Sequence, residues 1–159
     1  MSSTDISYLQ SNRGVLQVNG FDNLNLTLFE YTLPGITLGS IDVPNPLGVT
    51  PESGDNVIWE ELNVVFHINH DMSNWIEVFN WILSSGAPES YDQFNQVENK
   101  RDCTLILFDA QNNPMLSFLF EDCIPIALEG VNFTEEDSES VTKRAALTMR
   151  YSNFKLRNA

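Results

Sequence analysis

The sequence predicts a mainly-β fold carrying a single α-helix. Three observations lead there. Apolar and polar residues alternate with period two along most of the chain, as in Leu24, Leu26 and Leu28 against Asn25 and Thr27. Helical spacing occurs clearly once, between Asn74 and Gly86. The rest is broken by polar, Pro- and Gly-containing stretches. At 159 residues the chain is one domain, 1–159. A chain of that size buries roughly 70% of its unfolded surface.

Taken in order, residues 1–13 are polar and are expected to be a flexible N-terminal segment. Gly14 to Val18 fits a short edge strand, Asn19-Gly20 a turn, and Leu24 to about Tyr31 a strand. Leu33-Pro34-Gly35 interrupts the path, and Ile36 to Val43 is extended again. Residues 44–56, PNPLGVTPESGDN, hold three prolines and two glycines and are expected to be a projecting loop. From Asp55 one long strand is expected, with Ile58, Leu62, Val64, Phe66 and Ile68 facing a core.

A polar corner, Asn69-His70-Asp71, leads into the helix. Asn74 with Glu77 fits a capping box, and Asp71 or Ser73 could cap instead. Trp75, Ile76, Phe79, Ile82 and Leu83 form an apolar stripe expected to lie on a sheet. Ala87 to Arg101 reads as a polar connector. Cys103 to Phe108 and Met115 to Phe120 read as a hairpin around Asn112-Asn113-Pro114, and Ile124 to Leu128 continues as a strand broken at Pro125. Thr134 to Ser140 is an acidic loop. Val141 to Leu156 closes the chain as a strand with Leu147, Met149 and Tyr151 on one side.

Net charge is −14, with 22 acids against 8 bases, which excludes a nucleic-acid gripping surface built on clustered Lys and Arg. The charge is uneven: thirteen acids face one base up to Asn99, and nine face seven from Lys100 onward. Such asymmetry suits head-to-tail self-association. No apolar run reaches the roughly 20 residues of a membrane span, so no membrane insertion is expected. The N-terminus lacks a signal-peptide pattern, which predicts use without secretion across a membrane.

No residue set carries chemistry. His67, His70 and Asp71 are too few for a metal site, and neighbouring carboxylates such as Glu60-Glu61 do not face one cleft. No phosphate loop or nucleophile elbow occurs. Neither an enzyme nor a cofactor is therefore expected. Cys103 and Cys123 flank the hairpin; they could pair if the register allows, and two free thiols in a reducing compartment is the favoured reading.

The order of features resembles the tail tube proteins of contractile-tailed bacteriophages. The residues that carry this are Leu33-Pro34-Gly35, the Pro-rich stretch, Gly54-Asp55, Trp59, the corner at Asn69-His70-Asp71, Trp81 late in the helix, and the closing strand from Ala145 to Leu156. The corner is less acidic than the family's pattern. The resemblance implies two packed antiparallel sheets, as a sandwich or barrel with a flanking helix, assembled into stacked hexameric rings around a negatively charged channel for DNA. It implies a virion protein of the tail, made in the host cytoplasm, with sheath, baseplate or terminator proteins as partners. The tail terminator and the baseplate tube initiator share the fold and are alternatives; a monomeric cytosolic protein-binding β-domain is another. Pro44, Pro46, Leu47, Val49, Pro51 and Asp55 are the expected subunit or ring contacts. Glu135, Glu136, Asp137 and Glu139 are the expected lumen or inter-ring acids.

Overall fold

Among the described residues nine strands and one helix form. The structure, a computed structural model, describes residues 9, 13–21, 24–86, 99–135 and 141–158. The strands are β1 (Gly14–Val18), β2 (Asn25–Thr32), β3 (Ile36–Asn45), β4 (Gly48–Trp59), β5 (Leu62–His67), β6 (Arg101–Phe108), β7 (Pro114–Leu128), β8 (Arg144–Arg150) and β9 (Asn153–Asn158); the helix, α1, is Ser73–Gly86. Six strands run antiparallel in the order β6-β1-β2-β5-β8-β7, and β7 also pairs with β6, so the sheet closes into a barrel. Closure leaves those strands no open edge between them. The expected sandwich-or-barrel is thus a barrel, and β3 with β4 forms a separate two-stranded sheet.

Period-two alternation fills the barrel. Leu16 on β1, Leu26 on β2, Leu62, Val64 and Phe66 on β5, Leu105 on β6, Phe120 on β7 and Leu147 and Met149 on β8 are all buried. The fifteen residues of β7 serve two neighbourhoods. Its first part pairs with β6 and β9, and residues from Ile124 onward pair with β8. At the changeover Asp122 takes a positive φ of 54°, and its backbone N–H donates to the Asp102 carboxylate at 3.1 Å. The closing segment is likewise two strands, divided at Tyr151-Ser152, where the Ser152 N–H donates to the Glu121 carbonyl.

Three further expectations need correction. The long strand from Asp55 is two, β4 and β5, divided at Glu60-Glu61. Ile58 belongs to β4 and is exposed, so the core-facing set begins at Leu62. Second, residues 44–56 are not a loop: a two-residue turn at Pro46-Leu47 joins β3 to β4. Asn-Pro-Leu-Gly places Asn, Pro and Gly where a tight turn favours them, and the Asn45 carboxamide oxygen accepts from the Leu47 N–H at 3.0 Å. Hydrogen-bonded and non-hydrogen-bonded pairs alternate along an antiparallel ladder. Counted from the Asn45–Gly48 pair, Pro44 opposite Val49 and Pro51 opposite Asp42 fall on non-hydrogen-bonded pairs. A backbone N–H there points away from the partner strand, so proline removes no ladder bond.

The third correction concerns the helix. Its inward face is Asn74, Val78 and Trp81, with Trp75 and Ile82 half-buried beside them. Ile76, Phe79 and Leu83 of the expected stripe are exposed on the other side. The capping box does not form. Asp71 accepts from the Ser73 N–H at 3.1 Å, whereas Asn74, 3% exposed, donates to the His67 carbonyl and accepts from the Asn69 N–H. That carboxamide fixes the corner to the barrel. Trp81 packs near Phe21, and its indole N–H donates to the Asn99 carbonyl.

Candidate assembly surface

The β3–β4 ribbon is the part of the described chain with the least intramolecular cover. Every residue of it is exposed except Gly39, Gly54 and Trp59, which are intermediate. Its foot is fixed. The Glu60 N–H donates to the Gly35 carbonyl, the Gly35 N–H donates back to the Glu60 carboxylate at 3.0 Å, and Pro34 is buried. Trp59 packs edge-on to Phe154 at 5.2 Å and to Tyr151 at 6.3 Å. Burial in this aromatic nest pushes the Tyr151 phenol up to about 12, with smaller contributions from Cys123 and Glu60.

Beyond the foot the ribbon is kinked. Leu38 pairs with Val57 and Ser40 with Ser53, so Gly39 alone faces Gly54, Asp55 and Asn56. A Cβ on Gly54 would lie 2.7 Å from the Gly39 carbonyl oxygen, which only glycine avoids at this approach. The distal half then carries Ile41, Val43, Leu47 and Val49 into solvent, with Leu47 fully exposed at the tip. Six residues of extended strand project roughly 20 Å. A two-stranded ribbon in water is marginal alone, and contiguous exposed apolar surface marks a contact site.

Pro44, Pro46, Leu47, Val49, Pro51 and Asp55 are all exposed on this ribbon, with Pro44 and Val49 directly opposed. The sequence reading missed the apolar residues around them: Ile36, Leu38, Ile41, Val43, Val57 and Ile58. The signal that could have found them is the Asn-Pro-Leu-Gly turn flanked by extended apolar residues on both sides. Of the acids, Glu135 is exposed, while Glu136, Asp137 and Glu139 lie outside the described residues, as do most of residues 1–13 and of the 87–101 connector.

The remaining surface offers little chemistry. Among the described residues no group of three or more His, Cys, Asp or Glu gathers, and no helix is long and apolar enough to cross a membrane. A groove of about 320 Å³ beside the helix start is lined by Ile68, His70, Met72, Phe133, Val141 and Lys143, among others, without a carboxylate pair. Cys103 and Cys123 are free and buried. A hydrogen bond to Cys123, together with burial, raises the Cys103 thiol well above its ordinary value, which leaves it a poor nucleophile.

The fold of closed barrel, helix and projecting ribbon is similar along nearly the whole chain to tube-like chains in solved structures of contractile systems. A chain of the sheath/tube terminator of the extracellular contractile injection system PVC matches with a TM-score of 0.69 at 13% identity, covering 96% of this chain and 99% of that one. A chain of the anti-feeding prophage baseplate matches with 0.65 at 10% identity, covering 96% and 97%. Hcp1 from Salmonella typhimurium matches with 0.58 at 14% identity, covering 92% and 85%. No protein-family model matches the sequence, and no curated protein matches it. The similarity therefore lies in the fold.

Proposed function

We propose that this chain is the repeating tube subunit of a contractile tail, forming stacked hexameric rings whose channel passes DNA into the host. The observation that carries this reading is the near end-to-end match in fold to chains of a contractile terminator and a contractile baseplate. The exposed ribbon supports it, since such a surface needs a neighbour. The charge of −14 supports the channel, because an acidic wall repels phosphates and lets DNA slide. Sheath, baseplate and terminator proteins are its partners, the tail is its location, and its role is structural rather than enzymatic.

A second reading, a terminator ring or a baseplate initiator ring, is favoured by the terminator match at 0.69 and the baseplate match at 0.65. Electron microscopy of the purified protein over a concentration series separates the two. Long six-fold tubes with a central channel are expected for the repeating subunit. Isolated six-fold rings that never stack would move the assignment to the terminator or initiator. A monomer at every concentration would overturn both and leave a partner-binding β-domain.

A further inference from the structure

We infer that the distal ribbon of one copy docks on the basic strip along β8 and β9 of a second copy, a head-to-tail contact between an acidic apolar arm and a cationic face. The inference rests on the self-assembling reading above and names the surface that receives the arm. From Ile36 to Glu61 the chain carries Asp42, Glu52, Asp55, Glu60 and Glu61 and no base. From Val141 to Ala159 it carries Lys143, Arg144, Arg150, Lys155 and Arg157 and no acid. The two stretches are opposite in sign along their whole length.

The structure puts these charges where a second molecule can meet them. Asp42 and Glu52 lie on opposite faces of the exposed distal ribbon, and Asp55 lies at the kink. Arg144, Arg150, Lys155 and Arg157 are exposed on β8 and β9. Among the described residues, three acids bond to this stretch through their side chains. Glu121 pairs with Lys155 at 2.8 Å, Asp122 accepts from the Ser152 hydroxyl, and Glu129 accepts from the Ala146 N–H. Arg144 stacks over Phe29, while Arg150 and Arg157 form no ion pair among the described residues.

A contact within one molecule is excluded by the ribbon itself. Its foot already covers the Tyr151–Phe154 corner through Trp59, while its distal half carries no cover. A second copy presents the same strip, on which Arg150 and Arg157 are exposed and form no ion pair among the described residues. Because arm and strip are different surfaces, the contact is heterologous, and repetition closes a ring or extends a filament. Opposite charges across such a contact speed encounter and fix its register, while like charges there oppose it.

The test uses two charge-reversed proteins, D42K/E52K on the arm and R150E/R157E on the strip. All four sites are exposed, and circular dichroism with a thermal melt verifies that each variant is folded. Each alone is expected to need at least about tenfold more protein to assemble than the natural chain. An equimolar mixture is expected to assemble at the natural concentration, because every arm then meets a strip of opposite sign. If either variant assembles like the natural chain, or the folded mixture does not recover, the docking assignment is overturned while the tube reading stands. If the natural chain itself stays monomeric throughout, both are overturned.

Discussion

Tyr151 shows how one side chain couples the ribbon to the barrel. Its hydroxyl is buried without a hydrogen-bond partner among the described residues, and its ring contacts Trp59, Phe120 and Phe154. The fold favours the neutral phenol, whose pKa rises from 10.0 to about 12. The stability this represents is therefore fully present below pH 10 and is lost as pH rises toward 12. Tyr151→Phe should leave stability at pH 7 within about 0.5 kcal/mol and flatten the alkaline limb, read by urea unfolding across that range. The limb will not vanish, since burial also raises Tyr31. Superimposable alkaline limbs for the two proteins would refute this account. Little of this was legible in the sequence. Tyr151 was placed correctly on the side of Leu147 and Met149, but its aromatic neighbours lie in strands far apart along the chain. Asn74 was misread for a related reason: a capping residue and a buried brace look alike until the His67 carbonyl is seen beneath it.

Elements whose alternation ran uninterrupted were read well. β2, β5 and β8 bury the side their pattern predicted, and the hairpin around Asn112 to Pro114 formed, whereas Gly14 to Val18, expected as an edge strand, pairs with β2 on one side and β6 on the other. Hydrophobicity misled where both faces of an element are apolar. On α1 it pointed to Ile76, Phe79 and Leu83, whereas the barrel receives Val78 and Trp81. On the ribbon the prolines hid two strands, since nothing in a sequence shows which N–H groups a ladder will leave unused. The ribbon contributes no buried side chain to the core. Replacing residues 40–53 with an Asn-Gly turn should therefore shift the melting temperature by no more than about 3 °C, the equivalent of roughly 1 kcal/mol. The same change should abolish assembly. Normal assembly by the shortened chain, seen in the microscope, would refute the ribbon's role.

At the scale of the whole molecule, the barrel closes through strands distant in sequence: β1 pairs with β6, placing Leu16 against Leu105. A topology of such non-local pairs folds slowly, in milliseconds to seconds. Stopped-flow refolding should show that range; completion below about a millisecond would contradict it. Until assembly the ribbon stands in solution with two uncovered strand edges, a template for indiscriminate cross-strand pairing. Pro44 blunts the outer edge of β3 and Pro51 that of β4, each removing a donor that an incoming strand would need. The prolines that make this stretch look unstructured thus guard it against fibrillar growth, closing its edges while its apolar faces stay uncovered.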